Sequence, residues 1–559
     1  MNNLIGFILS LCIFSFSCQQ GAPKLKSKLS DIELLRGDII LCSGKQFGEV
    51  NFALSCDVST REDFDLALSL LHSFQYSEAE KAFVKVIDAD PECAMAYWGV
   101  AMSIYHAAWF PPSEADLIKA SKILEVAASV KKSAVERDYL HAISSFYENW
   151  ENVDHKIRAK KYESEMEALY AKYPKDTEAA ILYSLALYST RDRIGKEYLN
   201  EKKAGVILEN LFTEQPNHPG IAHYIIHNYD NPVLAIKGLE VARRYAEIAP
   251  GSSHAQHMPS HIFTRLGLWD ESIQSNVKSL SAVRCFVAEA GIEGHYFEEV
   301  HAMDYMVYAF LQKGDNSSAK EQYQSLRDIR DFYPLNITAA TYPLASIPTR
   351  IALENKDWDA AARLELHGTS IDWENFPWQN AILHFGRALG AAHTQDFAAA
   401  EKEVEILKQL RVDLMSKNDA TTSNQVDQIM IQIVTAEAWL RFISGDQVEG
   451  LELMREAAQM EGKTSKHPVT PGDVIPAVEL LGDMLLSMNR ADEALVAYEK
   501  DLNAHPNRFN GIYGAALAAK NCGREKEAAK YFGELLSLCM SNNSDRPERL
   551  EAQKYLDRI

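Results

Sequence analysis

From Asp63 onward, apolar and small residues recur at i, i+3, i+4 and i+7, and the pattern breaks roughly every 12 to 15 residues. No alternating run of strand type reaches any length there, so the spacing predicts an all-helical body. Residues 19 to 60 read differently, as a Lys- and Ser-containing tether followed by two short strand-like runs, Ile39 to Cys42 and Val50 to Leu54. The breaks in the helical part repeat one another. FQYSEAEKAFVKVIDADP (74 to 91), GLWDESIQSNVKSL (267 to 280), KGDNSSAKEQY (313 to 323) and NKDWDAAARLEL (355 to 366) share one plan with TQDFAAAEKEVEIL (394 to 407), SGDQVEGLELM (444 to 454), NRADEALVAYEKDLNAHP (489 to 506) and GREKEAAKYFGELL (523 to 536). Each is a turn, an aromatic or aliphatic residue, an acidic residue, Ala or Ser, then an apolar helix often closed by Pro. A unit of this kind is a helix hairpin that cannot bury its apolar face alone, so stacked neighbours must supply the core.

These motifs resemble the second half of the tetratricopeptide repeat, and AMAYWGVAMSIY (94 to 105) and RFNGIYGAALAAK (508 to 520) resemble its first half. The resemblance implies an all-α solenoid of roughly ten hairpins over residues 62 to 541, with a concave groove lined by the first helix of each pair. ECAMAYWG, HPGIAHYIIH, SHAQHMPSHIFTRLG and HPNRFNGIYGAA also look like a group of bacterial tetratricopeptide proteins sharing one histidine block. That likeness implies fold and location, and carries no activity with it. The expected divisions are a signal peptide (1–17), a lipid-anchored tether with a small disulfide-linked segment (18–61), an N-terminal array carrying the histidine-rich groove (62–335), a C-terminal array (336–541) and a helical tail (542–559). WFPPSEAD (109 to 116) breaks the even array as a possible inserted cap, and SIDWENFPWQN (370 to 380) gathers Trp373, Phe376 and Trp378, for which packing between repeats is the default role.

Charge narrows the partners. With 78 acidic against 57 basic residues the net charge is −21, which repels phosphate backbones, and no basic run argues otherwise. A nucleic-acid partner is therefore not expected. The uncharged run Leu4 to Phe16 has the length of a signal-peptide core and is too short to span a bilayer. It ends in Ser17-Cys18, which resembles a bacterial lipoprotein signal with Cys18 as the lipidated residue. The n-region lacks Lys and Arg, and Ser15 stands where an aliphatic residue is commoner, so ordinary cleavage stays open beside lipidation. Either route makes the protein exported, and lipidation fixes it to the cell envelope, facing the periplasm or the surface. In an oxidising compartment Cys42 and Cys56, flanking one short turn-rich segment, are expected to pair with each other. Cys93, Cys285, Cys522 and Cys539 read as small core residues of helices.

The chemistry lies in one block. Eight of the 17 histidines fall between His218 and His301. Counting back 13, 10, 6 and 2 residues from a turn glycine marks one helical face. For Gly267 those positions are His254, His257, His261 and Arg265, and for Gly314 they are His301, Asp304, Tyr308 and Gln312. Phe263 and Phe310 fall off that face, toward the core. Aligning the preceding repeat on Pro250 adds His223 and His227. The candidate metal ligands are therefore His223, His227, His257, His261, His301 and Asp304, and the candidate groove residues are His254, Arg265, Tyr308, His72, His106 and Arg350.

Neutral imidazole is the commonest metal ligand, and a His/carboxylate set suits Zn, Cu or Fe, with an open position able to activate water or bind oxygen. Neither His pair is followed by Glu, against the HExxH metalloprotease pattern. No Gly-rich phosphate loop and no CxxCH motif occur, so neither nucleotide nor haem is expected. Two readings stay open: a metal site used for chemistry on a small molecule or for metal handling, and a non-enzymatic scaffold holding a peptide, protein partner or glycan in the groove. Pro259 is the weak point, because a helix beginning there would move His257 out of line.

Overall fold

In the computed structural model, all eight turns read from the sequence hold a residue at positive φ: Phe74, Gly267, Gly314, Lys356, Gln395, Gly445, Asn489 and Gly523. A left-handed residue after a helix satisfies its last carbonyls and sends the chain back antiparallel. The acidic residue of the motif then caps the second helix. Asp315, Asp357, Asp396 and Asp446 accept hydrogen bonds from the backbone N–H groups of Ser318, Ala360, Ala399 and Glu449 at 3.0–3.1 Å. Each such cap is worth about 1 kcal/mol.

The structure describes residue 25 and residues 27–42, 46–109, 111–192, 196–334, 338–369, 371–417, 422–540 and 544–558. The signal segment and Cys18 lie outside the described residues. The described chain is an all-α solenoid of 26 α-helices. Its one strand pairing is the two-residue parallel bridge of His295–Tyr296 with Phe332–Tyr333. Typical hairpins are Arg61–His72 with Tyr76–Ala89, Phe297–Gln312 with Asn316–Asp328, and Phe509–Asn521 with Glu525–Leu538. One apolar core runs through the N-terminal helices to Phe263, and a second runs from Tyr342 to Ala552. Trp378 packs within the second, 4.8 Å from the Tyr342 ring. Among the described residues no helix is long and apolar enough to cross a membrane.

The superhelix returns on itself. Trp269 Nε1 donates to the Asn507 carbonyl at 2.8 Å, and Asn507 Nδ2 donates to the Gly267 carbonyl at 3.1 Å. Gly267 is required here, because a Cβ would lie 2.4 Å from the Pro506 carbonyl oxygen. Arg508, wholly buried, reaches Glu354 at 2.8 Å and Glu479 at 2.9 Å and donates to Tyr308 at 3.2 Å. The C-terminal repeats therefore cover the face that carries the histidines.

Two expectations about the N-terminal segment are corrected. Its extended runs find no strand; Leu35 and Ile40 donate their N–H groups to Glu80 and Glu78 at 3.0 and 2.8 Å, and Ser55 donates to Glu136 at 3.0 Å. The segment is a strap laid over helices, which separates Cys42 from Cys56 and brings each to a helical cysteine. The disulfides are accordingly Cys42–Cys285 and Cys56–Cys93, not Cys42–Cys56. Cys93 and Cys285 are thus bridged, and Cys522 and Cys539 are free.

Candidate metal centre

His223 and His227 lie one turn apart on the helix Pro219–Tyr229, which begins with Pro219 in its first turn and His218 as cap. His254 and His257 sit on the short helix Ser253–His257, capped by Ser252. A new helix does start at Pro259, running to Arg265. His257 nevertheless stays in line, because Met258 between the two helices keeps right-handed helical angles (φ −53, ψ −36) and the axis passes through the break. His301 comes from the first turns of Phe297–Gln312.

These helices bring six imidazoles into two groups, His223/His227/His254 and His257/His261/His301, with the donor atoms of each group within 4.8 Å of one another. Within the groups, His254 Nε2 lies 3.1 Å from His223 Nε2, and His257 Nε2 lies 3.1 Å from His261 Nε2. Aromatic rings wall them in. Phe74 is 4.3 Å from the His223 ring and 5.7 Å from His254, and Tyr305 is 4.8 Å from His257 and 5.0 Å from His261. His223, His254, His257 and His261 are between 0 and 8% exposed. The histidines line a closed interior rather than an open groove.

The proton inventory is the informative part. His257 Nδ1 meets Asn276 Oδ1 at 2.6 Å; the Asn276 amide nitrogen already donates to the Ser272 carbonyl at 2.8 Å, so the ring N–H is the donor. His261 Nδ1 donates to Asp230 Oδ2 at 2.9 Å, and His223 Nδ1 donates to the His72 carbonyl at 2.7 Å. In a neutral imidazole the second nitrogen is then a lone pair. Tyr305 does not supply a proton, since its hydroxyl donates to the Thr470 carbonyl at 3.1 Å. His257 Nε2 and His261 Nε2 therefore aim lone pairs at each other. His227 Nε2 and His301 Nδ1 are buried without a hydrogen-bond partner. Two nitrogens bound to one tetrahedral ion at about 2.0–2.1 Å lie about 3.3 Å apart, close to the spacing seen here.

Electrostatics keep the rings neutral. Burial pushes His223 and His301 down to about 3, with nearby positive or titrating neighbours in the same sense. Burial also holds His227, His254 and His257 well below the usual imidazole value. His261 is lowered by burial too, with Asp230 opposing. For Asp230, burial raises the pKa, but Lys466 at 2.9 Å, Arg265 at 2.8 Å and His261 outweigh it and hold the carboxylate ionised.

Behind the first group, Glu178 links His72 Nε2 at 3.0 Å and His218 Nε2 at 2.7 Å. His72 Nδ1 meets the Tyr224 hydroxyl at 3.0 Å, and His218 Nδ1 accepts from Ile221 N–H at 3.4 Å. Every ring nitrogen of this trio is engaged, so it is a scaffold that positions the His72 carbonyl under His223. His218 is thus both the expected helix cap and part of that scaffold.

The sequence register brought together His223, His227, His257, His261 and His301. Asp304 is the correction: it is turned to the Arg350 guanidinium and to Ser346 Oγ at 2.9 Å, away from both groups. Arg350 was a groove candidate and is instead this buried counter-ion. His254, read as a groove residue, is a member of the first group. Arg265 supports Asp230, and Tyr308 contacts Arg508. His106 ends the helix Ala94–Tyr105 in a left-handed conformation beside Tyr76. Asp230, Asn276, Tyr305, Glu178 and Lys466 escaped the sequence reading; each is far along the chain from the histidine it supports, and only NYDNP, already noted as an irregular turn, marked one of them.

A pocket of about 280 Å³ opens onto this centre at His227, between Arg191, Lys196, Asp230, Arg265 and Lys466. Burial pulls the Lys466 ammonium down to about 8, with Asp230 opposing.

No family model matches the chain, and no curated protein matches it. Solved structures similar to it include the human IFIT1 dimer with m7Gppp-AAAA, at 14% identity and a TM-score of 0.36, covering 94% of this chain and 96% of that one. The human IFIT1 dimer with PPP-AAAA has 14% identity and a TM-score of 0.35 over the same shares, 94% and 96%. A likeness this remote carries no inference about what the present chain binds.

Proposed function

We propose that this is an exported helical-repeat protein whose buried histidines hold transition-metal ions and present them to a small molecule. The observation that carries the reading is the pair of lone pairs, His257 Nε2 and His261 Nε2, facing each other at 3.1 Å with both Nδ1 protons committed elsewhere. Such an arrangement is repulsive unless a cation lies between, and burial disfavours a proton in that role. The outer partners fit as well: metal-bound histidines commonly give their second N–H to a carbonyl or carboxylate, which fixes ring orientation and raises basicity. The pocket beside His227 is of small-molecule size, and its cationic residues favour an anionic ligand. Two disulfides suit an oxidising compartment, and Cys18 is the proposed lipid anchor to the envelope.

Elemental analysis of untagged protein tests this directly. The expected result is at least one transition-metal equivalent per chain that disappears in the His223→Ala/His257→Ala/His301→Ala variant. Less than about 0.2 equivalents of every transition metal after reconstitution overturns the reading.

A further inference from the structure

We infer that the two histidine groups are halves of one dinuclear copper centre, whose facing vacant positions take a single small bridging ligand, dioxygen when both ions are reduced. This rests on the metal reading above and goes further in nuclearity, metal and ligand.

Nuclearity follows from spacing. Inside the first group the ring centroids are 4.7, 5.0 and 6.2 Å apart. Across the groups, His254 to His257 and His227 to His261 are each 6.4 Å. The gap between the groups thus barely exceeds the widest spacing within one, and the six imidazoles form a continuous shell. Two-metal centres place their ions about 3.5–4 Å apart so that one ligand can span them.

Metal identity follows from the donors. All six are neutral nitrogens, because the nearby carboxylates are committed elsewhere: Asp304 to Arg350, Asp230 to Lys466 and Arg265. Magnesium and calcium require oxygen ligands, and the common mononuclear iron oxygenase site requires a carboxylate. Imidazole suits copper and zinc, and copper stands at the top of the divalent affinity order. Charge then separates the two. Two zinc ions would add four positive charges to a buried aromatic shell that already faces Lys466, with no anionic donor to offset them. Two Cu(I) ions add only two, and three nitrogen donors leave each an open position. The ligand follows from the same balance. On binding dioxygen each Cu(I) gives up one electron and the O2 unit takes both, so the four charges of the oxidised pair are met by a dianion between them, with no proton moved.

The test loads chelated, reduced protein anaerobically with Cu(I) against a competing chelator, then admits dioxygen. Expected are two copper equivalents, uptake of one O2 per two coppers, and an oxidised form with well under one EPR spin per copper because the spins are coupled. His254→Leu in the first group and His301→Leu in the second should each bind about half the copper and show a full mononuclear signal after oxidation. Circular dichroism separates loss of a ligand from loss of fold, and either variant that folds suffices. No binding of any metal sinks both this proposal and the broader metal reading. One equivalent, or two with full uncoupled spins, overturns the dinuclear assignment alone. Retention of zinc against equimolar Cu(I) overturns the metal, and absence of O2 uptake overturns the ligand.

Discussion

Arg508 closes the solenoid, and its removal should show how strongly. The guanidinium is fully buried and holds Glu354 at 2.8 Å and Glu479 at 2.9 Å, with Asp501 at 3.8 Å. Arg508→Met keeps the apolar stem but strands buried carboxylates, a change that costs about 3–5 kcal/mol where one partner of a buried pair is removed. Burial already raises Glu479 to about 7, with Arg508 opposing, so losing Arg508 pushes it higher. An acid raised in the folded state takes up its proton more readily there than in the unfolded chain, where it titrates near 4.3. Its contribution is therefore present at low pH and lost as pH rises through about 7. The deficit of Arg508→Met relative to the parent protein should be largest at pH 8 and shrink on acidification to pH 5, and Glu479→Gln in the same background should restore part of it. Urea unfolding at both pH values, with hydrogen exchange in 507–510 to report local opening, measures this. A deficit under about 1 kcal/mol, or one unchanged between the two pH values, would refute the idea that a paired buried charge clamps the C-terminal repeats over the histidines.

Two further outcomes separate the roles of the carboxylates. Asp230→Asn, which weakens the partner of His261, should lower metal affinity by about 10–100-fold in a chelator competition with helix content unchanged. Asp304→Asn should leave metal stoichiometry intact while lowering the melting temperature, because Asp304 serves Arg350; loss of metal in that variant would return it to the ligand set.

The fold was legible because the repeat writes its instructions locally. A positive-φ residue and an Asp cap a few positions on are both chain neighbours, so all eight turns could be placed from the sequence. The histidine face was legible for the same reason: i, i+3 and i+4 spacing is a property of one helix. What failed needed contacts between distant parts. Asp304 has the correct spacing from His301, yet Arg350 on the next repeat, 46 residues away, claims it. Cys42 and Cys56 are neighbours in sequence but are parted by a strap whose course is set by carboxylates on Tyr76–Ala89 and by Glu136. The support for His261 comes from Asp230, and the lid over it comes from Thr470 through Tyr305, neither of which has a periodic signature.

The Cys42–Cys285 bond has a consequence for assembly. It joins residues 243 apart and encloses His223, His227, His254, His257 and His261 in one covalent ring, leaving His301 outside. Five imidazoles are thus tethered into a common loop by an oxidation event, while the sixth arrives on chain synthesised after that ring can close. The order of oxidation and of docking of Phe297–Gln312 then decides whether an ion is offered three ligands or only two at the second group. Compartment and timing, as much as donor chemistry, would select what the centre holds.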